Sequence, residues 1–148
     1  MVIIKVSTRI GVDPDRVFDV VRNIHEHTSN IGGVKSIEKI ERSPNSFATK
    51  WEIDFDGAPF SWVQEEIVYK STRTMLFKSV EGDFFIYCGE WIVEPQKDGS
   101  SLLKLEAYFN WGAPNMEKHV GKILERKANK ALKGLVLAIK KAVMKANG

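Results

Sequence analysis

The chain has 148 residues and a net charge of +3; 43% of the residues are hydrophobic and 28% charged, which excludes a disordered or fibrous protein. This length suits one domain, which we predict over residues 1–148. The apolar runs are far shorter than the roughly 20 residues that span a bilayer, and the opening "MVIIKVSTRI" lacks a signal-peptide pattern, so the sequence predicts a soluble protein.

A strand and two short helices are predicted first. Residues 2–10 alternate with the period of a strand. In "GVDPDRVFDVVRNI", Asp13 is a typical N-cap residue and Pro14 suits the first helical position. The apolar residues that follow recur at helical spacing: Val17, Phe18, Val21 and Ile24. The segment "HEHTSN" is predicted as a second short helical piece before Gly32 and Gly33.

Six segments with strand character follow. Turn-forming breaks separate them: "SPN", "DGAP", "KST", "EGD" and "QKDGS". Because such short breaks join antiparallel neighbours, one antiparallel sheet is expected. The segments are residues 34–42, 46–55, 60–70, 73–81, 84–95 and 101–111.

From about Asn115 the pattern changes to an amphipathic helix of about thirty residues. This region has nine Lys or Arg against two Glu, whereas the rest of the chain has 13 Lys or Arg against 17 Asp or Glu. We interpret this excess of positive charge as a solvated helix face in preference to a nucleic-acid or membrane surface. Close packing would compensate the helix for Gly121 and Gly134, each of which costs about 1 kcal/mol relative to Ala. The predicted apolar stripe is Val120, Ile123, Leu124, Ala128, Ala131, Leu132, Leu135, Ile139, Ala142 and Val143.

Together these elements predict an α+β fold in which a strongly bent, seven-stranded antiparallel sheet wraps around the long C-terminal helix. The inner face of the sheet and the stripe of the helix bury each other. Such bending leaves room between sheet and helix, and this room becomes a pocket where bulky residues line it without filling it.

Alternation identifies the inner face of two strands but not of a third. Odd-numbered side chains point inward in residues 46–55, and the same holds for residues 101–111. The strand from Phe60 is ambiguous, because the face with Trp62, Gln64 and Glu66 and the face with Val63, Ile67 and Tyr69 are both mixed. The pattern leaves both orientations open.

The strand "FFIYCGEWIV" concentrates aromatic residues: Phe84, Phe85, Tyr87 and Trp91. Gly89 in its middle marks a bulge, a bend or the close approach of another group. Such a concentration is typical of a ligand cavity and of a large core, and the residues alone favour the core.

The run "WVQEEIVYKSTRTMLFKSVEGDFFIYCGEW", followed by "GAPN" before the last helix, resembles bacterial polyketide aromatase/cyclases of the START-like (helix-grip, Bet v 1-like, SRPBCC) superfamily. The order of elements agrees over nearly the whole chain. The same superfamily includes coenzyme Q-binding START proteins. The resemblance implies a helix-grip fold that binds a hydrophobic small molecule, such as a lipid, a quinone or a polyketide-like compound, between the sheet and the C-terminal helix.

The resemblance also orients the ambiguous strand, with Trp62, Gln64 and Glu66 inward. The family's catalytic Arg matches Glu66, and a carboxylate cannot stabilise a developing enolate as a guanidinium does. Glu66 among aromatic side chains should instead have a raised pKa, which suits a general acid or base near neutrality. Alternatively, a neutral Glu66 would donate a hydrogen bond to a ligand carbonyl, which is a binding role. For an enzyme, the predicted catalytic acid/base residues are Glu66 and Tyr87. The implied ligand-binding residues are Trp51, Phe55, Trp62, Gln64, Glu66, Phe77, Phe84, Trp91, Phe109 and Trp111.

Three functions remain open on this basis. The first is a carrier of a hydrophobic ligand. The second is a polyketide cyclase/aromatase or dehydratase that uses Glu66 in place of the Arg. The third is an adaptor whose cavity is vestigial. Sequence alone identifies neither the ligand nor the oligomeric state.

Other chemistry is not indicated. His25, His27, Cys88 and His119 have no metal-ligand spacing, and no cofactor motif occurs, so we expect neither a metal nor a cofactor. In the superfamily, the segment from His25 to Ile31 commonly borders the pocket entrance, although a surface position is favoured for the histidines. A single cysteine allows no intramolecular disulfide and suggests the cytoplasm.

The distribution of charge and aromatic residues bears on two kinds of surface partner. Nucleic-acid binding is not expected, because the aromatic residues lie on strands and the lysines on the helix. Four lysines would allow weak contact with an anionic membrane surface: Lys118, Lys122, Lys130 and Lys133.

Overall fold

A computed structural model describes residues 2–27, 31–55, 57–82, 86–110 and 114–147, without the side chains of residues 55, 58, 114–120, 124 and 147. Three predicted ligand-binding side chains lie outside the described residues: Phe55, Phe84 and Trp111. The same is true of the side chains of Lys118 and His119.

The described residues form an antiparallel sheet and two α-helices, which confirms the predicted α+β helix-grip fold. The sheet order is β1-β7-β6-β5-β4-β3-β2. Short 3-10 helices occur at Ile24–Glu26 and Lys70–Thr72, the first of them being the second helical piece predicted after β1. The elements in chain order are β1 Val2–Ile10, α1 Pro14–Arg22, β2 Val34–Ser43, β3 Ser46–Phe55, β4 Ala58–Tyr69, β5 Thr74–Gly82, β6 Ile86–Pro95, β7 Ser101–Asn110 and α2 Pro114–Asn147.

Helix α1 begins as its sequence predicts. The Asp13 side chain accepts a hydrogen bond from the Arg16 backbone N–H at 3.2 Å, and Pro14 occupies the first turn. Its apolar residues Val17 and Val21 are fully buried. The helix thereby covers part of the sheet and packs against α2.

Helix α2 packs on β1, β7 and α1. Its buried side chains are Ala128, Leu132, Leu135, Val136, Ala138, Ile139, Ala142 and Val143. The predicted stripe is wrong at Ile123, which is 51% exposed, and at Ala131, which is also exposed. Among the described residues, no atom outside the helix backbone lies within 4 Å of where a Cβ of Gly134 would be, so their packing does not account for this glycine. No described helix is both long enough and apolar enough to cross a membrane.

The orientation of β4 follows the family resemblance. Trp62, Gln64 and Glu66 are buried, whereas Ile67 and Tyr69 are 43% and 47% exposed. The mixed faces of this strand therefore arise because its buried face carries polar groups and its exposed face carries apolar ones.

Gly89 in β6 allows a close backbone approach, as its mid-strand position suggested. A Cβ at this position would overlap the Glu106 carbonyl oxygen of β7 and would lie 2.8 Å from Phe77 Cζ and 2.9 Å from Ala107 Cα. Two of these contacts are with backbone atoms, which cannot move independently of the sheet.

Candidate functional site

Glu66 lies on the inner face of β4 and is 1% exposed. Thr49 Oγ1 lies 3.2 Å from its Oε2 atom, and Gln64 Nε2 lies 2.9 Å from its Oε1 atom. Each partner is in turn bound by an indole: Trp51 Nε1 donates to Thr49 Oγ1 at 2.8 Å, and Trp62 Nε1 donates to Gln64 Oε1 at 2.7 Å. Two hydrogen-bond chains therefore converge on one carboxyl group.

The indoles determine the direction of both chains. An indole N–H can only donate, so the Gln64 oxygen is used as an acceptor and its NH₂ group faces Glu66. Likewise, the Thr49 hydroxyl accepts from Trp51 and directs its own proton to Glu66. Both oxygens of Glu66 therefore accept hydrogen bonds, an arrangement that favours the ionised carboxylate.

Burial opposes this preference and is the larger effect. Desolvation raises the pKa of Glu66 to about 7, while the hydrogen bonds from Gln64 and Thr49 and the charge of Lys39 lower it. The carboxyl group therefore exchanges its proton near neutral pH, as the sequence predicted.

The positive charge of Lys39 lowers the pKa of Glu66, but Lys39 forms its ion pair with another residue. Its Nζ lies 3.2 Å from Glu41 Oε1 and 4.8 Å from the centre of the Phe47 ring. Among the described residues, no cation forms an ion pair with Glu66 within 4 Å. The ionised Glu66 carboxylate is therefore stabilised by hydrogen bonds from the neutral side chains of Thr49 and Gln64.

An aromatic cluster surrounds this network. The rings of Trp51 and Trp62 are stacked with centroids 5.4 Å apart, and Tyr87 meets Trp62 edge to face at 5.7 Å. Phe109 and Phe77 contact Tyr87 at 4.6 and 5.2 Å. Burial and the neighbouring Glu66 raise the pKa of Tyr87 well above its usual range, so its hydroxyl keeps its proton and does not ionise near neutral pH.

A cavity of about 90 Å³ lies between the sheet and α2. Trp51 and Trp62 line it, whereas Gln64 and Glu66, which lie two and four residues further along β4 from Trp62, are absent from the described lining. Its walls are Trp51, Ile53, Asp54, Trp62 and Tyr87 on the sheet and Ala131, Leu132 and Leu135 on α2, with residues 31–34 closing one end.

The predicted site residues divide into three groups. Trp51, Trp62 and Tyr87 line the cavity, and Gln64 and Glu66 belong to a buried polar network outside its described lining. The remaining described ones are buried but absent from the described lining: Phe77, Trp91 and Phe109.

Sequence reasoning missed several residues of this site. Thr49 was identified as inward-facing but not as a site residue, although a hydroxyl on a buried face requires a partner. Asp54 and Ala131 were missed because both are exposed and lie at the margin of the cavity. No simple sequence signal distinguishes them from ordinary surface positions.

The His25 side chain is 17% exposed, so it is partly buried and not fully at the surface position favoured for it. Burial, followed by the charge of Lys39, lowers its pKa, and its Nδ1 atom has no described hydrogen-bond partner. His25 is partly buried because its 3-10 helix, Ile24–Glu26, packs against β2. No group of three or more potential metal ligands occurs within the described residues.

Comparisons with known proteins agree with this architecture. A family model described as "Polyketide cyclase / dehydrase and lipid transport" matches residues 10–136. TTHA0849 from Thermus thermophilus has a TM-score of 0.94 at 20% identity, covering 99% of this chain and 100% of that one. No curated protein sequence matches the chain.

Two further solved structures are similar. The Zhui aromatase/cyclase from a Streptomyces species has a TM-score of 0.90 at 13% identity and covers 99% of this chain and 96% of its own. A START superfamily protein from Mycobacterium smegmatis has a TM-score of 0.79 at 13% identity, with coverages of 97% and 98%. At such identities the similarity shows a shared fold.

Proposed function

Because the chain belongs to the polyketide cyclase / dehydrase and lipid transport family, we propose that it binds an apolar small molecule, such as a lipid, a quinone or a polyketide-like compound, between its sheet and α2. The observation that carries this proposal is the cavity walled by Trp51, Trp62 and Tyr87. Aromatic and aliphatic walls with a few polar groups are typical of small-molecule sites.

The ligand must widen this cavity. A volume of about 90 Å³ holds about three water molecules, whereas sites for drug-sized ligands measure roughly 300–1,000 Å³. The wall formed by α2 contributes Ala131, Leu132 and Leu135, so separation of this helix from β3 and β4 would enlarge the space. Ligand binding should therefore move α2 relative to the sheet.

Replacing Ala131 by Trp should weaken binding at least tenfold. The residue is exposed and lines the cavity, so a bulky ring can occupy the space without overpacking the core. The matched control is Ala146→Trp, which adds the same ring at an exposed position of α2 outside the described lining. The fluorescence of bound N-phenyl-1-naphthylamine gives the dissociation constants.

Equal dye affinity for Ala131→Trp and the wild type would place the binding site elsewhere. Failure of the wild type to bind the dye, together with native mass spectra that show no retained apolar molecule, would favour an adaptor with a vestigial cavity.

A second candidate function is polyketide cyclisation or dehydration, with Glu66 as acid or base. Tyr87 was predicted as its acid/base partner, but its strongly raised pKa disfavours proton release and leaves it better suited to donating a hydrogen bond. The raised pKa of Glu66, about 7, supports it, because a group with this pKa transfers protons efficiently at neutral pH. Because Glu66 is buried and absent from the described lining, neighbouring side chains would have to move for substrate to reach the carboxyl. Glu66→Gln keeps hydrogen bonding but removes the titration, so an enzyme would lose turnover of an aromatic polyketide precursor, whereas a carrier would keep its dye affinity.

Weak membrane-surface contact through α2 is a further proposal. Lys122, Lys130 and Lys133 are exposed and carry like charge along the helix. We expect the protein to float with vesicles that contain anionic lipid and not with neutral vesicles. Lys130→Glu/Lys133→Glu should lose flotation, while Lys50→Glu, an exposed lysine of β3, should retain it. Absence of flotation with both kinds of vesicle would contradict the contact.

We also infer a cytoplasmic location from the single cysteine, Cys88, which is free in the structure. Subcellular fractionation tests this directly, and recovery of the protein in an extracellular fraction would contradict it.

A further inference from the structure

Two tryptophans connect the cavity between the sheet and α2 with the buried carboxyl group of Glu66. Trp51 and Trp62 line the cavity, and their indole N–H groups are the first donors of the two hydrogen-bond chains that end on Glu66. We propose that ligand binding in the cavity is coupled to protonation of Glu66 through these chains, with the ligand preferring the protonated form of the protein. The coupling rests on the proposed binding function, because it regulates that same site.

Both chains are strongest when Glu66 is ionised. Thr49 Oγ1 then donates to Oε2 at 3.2 Å and Gln64 Nε2 donates to Oε1 at 2.9 Å, so each chain runs in one direction from an indole to the carboxylate. A hydrogen bond to an ionised acceptor is stronger than one between neutral groups, and successive bonds in one direction polarise each other. The ionised carboxylate therefore holds both indoles firmly in their present orientation.

A proton on Glu66 weakens one of the chains, whichever oxygen carries it. On Oε1 the added O–H would face the NH₂ group of Gln64, donor against donor. On Oε2 it would donate to Thr49 Oγ1, which already accepts from Trp51, and the Thr49 proton would lose the carboxylate as its acceptor. At least one indole is therefore held less firmly in the protonated state.

The size of the cavity determines the sign of the coupling. A volume of about 90 Å³ is too small for a drug-sized ligand, so binding requires the walls to move, and Trp51 and Trp62 belong to these walls. Because their rings are stacked, movement of either ring alters the contacts of both. Walls that are held less firmly move at lower cost, so the protonated protein binds more tightly, and binding in turn favours proton uptake.

The side chains next to Glu66 do not titrate near neutral pH. Its direct cross-strand neighbours are Phe47 on β3 and Phe77 on β5, which carry no charge. Tyr87 on β6 keeps its proton, because burial and the neighbouring Glu66 raise its pKa well above the usual range. The described α2 residues in the cavity lining are apolar.

Two charged or titratable groups lie further away. Lys39 on β2 lowers the pKa of Glu66 and is paired with Glu41 at 3.2 Å. His25 on the 3-10 helix also experiences the charge of Lys39, and its pKa is lowered chiefly by burial. Since His25 titrates at a pH below that of Glu66, whose pKa is about 7, a substitution of Glu66 separates the two contributions.

The dye N-phenyl-1-naphthylamine tests the coupling, because it is uncharged between pH 6 and pH 8. Over this range Glu66 changes from about nine tenths to about one tenth protonated, so dye affinity should be severalfold higher at pH 6, with about tenfold as the limit. Calorimetric titration at pH 7 in phosphate and in HEPES, which differ in ionisation enthalpy, should show uptake of up to about half a proton per bound dye.

Glu66→Gln resembles the protonated side chain and cannot titrate. This variant should bind the dye at pH 8 at least as tightly as the wild type does at pH 6, without pH dependence and without proton uptake. The matched control is Glu65→Gln, which changes the exposed neighbour on β4 and should behave as the wild type.

The possible results distinguish the coupling from the function on which it rests. Dye affinity of the wild type that is equal or higher at pH 8, or binding without proton uptake, overturns the coupling and leaves ligand binding standing. Persistence of the pH dependence in Glu66→Gln also overturns the coupling and assigns the response to another group. Absence of dye binding at both pH values, with no apolar molecule retained in native mass spectra, overturns both.

Discussion

Replacing Glu66 by Gln is expected to raise the free energy of unfolding at pH 8 by about 3 kcal/mol and to leave it almost unchanged at pH 4. The folded protein holds a proton on Glu66 up to pH about 7, whereas the unfolded chain releases it near the ordinary value of 4.5. Between these values the folded state binds more protons, so stability falls as pH rises. Above pH 7 the folded protein bears the full cost of a buried, ionised Glu66 carboxylate, and the uncharged amide side chain of Gln would remove this cost.

The hydrogen-bond network can accommodate this substitution. The amide oxygen would accept from Gln64, and the amide NH₂ would donate to Thr49, whose hydroxyl can accept a second hydrogen bond. Urea unfolding of both proteins at pH 4, 6 and 8 measures the difference, with Glu65→Gln as the exposed control on the same strand. A difference between Glu66→Gln and the wild type that does not vary with pH would show that Glu66 titrates normally.

Gly89→Ala should destabilise the protein by about 3 kcal/mol or more. The new methyl group would overlap the Glu106 carbonyl oxygen and approach Ala107 Cα to 2.9 Å, so β6 and β7 would have to separate. Movement of the Phe77 ring could relieve the third contact but neither of the backbone contacts. Thermal unfolding should therefore show a large decrease in midpoint temperature.

Gly134→Ala provides the matched control. This glycine is exposed within α2, and nothing lies near the position of its missing methyl group. The substitution should stabilise the protein by up to about 1 kcal/mol through helix propensity. If Gly89→Ala lost less than about 1 kcal/mol, the close approach of β6 and β7 would be refuted.

The fold could be predicted from the sequence because its signals are local. Strand alternation, turn-forming breaks, the cap at Asp13 and the long amphipathic pattern each depend on residues close together in the chain. The orientation of β4 could not be derived in this way, since its buried face includes Gln64 and Glu66 and its exposed face includes Ile67. Packing against elements that are distant in sequence determines which face is covered.

Part of the candidate site could be predicted from the sequence. The part that was missed depends on the directions of side chains. Alternation and resemblance together placed Trp51, Trp62 and Glu66 on the inner face. Neither could show that the indole N–H groups point along the sheet toward Thr49 and Gln64, because rotamers depend on packing. In this structure Trp51 and Trp62 line the cavity and Glu66 is absent from the described lining, so the predicted contact between Glu66 and a ligand stays a prediction.

The two hydrogen-bond chains also constrain how this protein can vary. Trp51 pairs with Trp62 and Thr49 with Gln64 across β3 and β4, so the two chains run side by side and end on Glu66. Loss of any one member leaves the donor or acceptor of its neighbour unmatched in a buried layer. Substitutions at these five positions should consequently be epistatic, and double-mutant cycles among them should be strongly non-additive. A single substitution that keeps the hydrogen bonds, such as Glu66→Gln, should be tolerated, whereas one that removes a donor or an acceptor should require a compensating change at a neighbouring position.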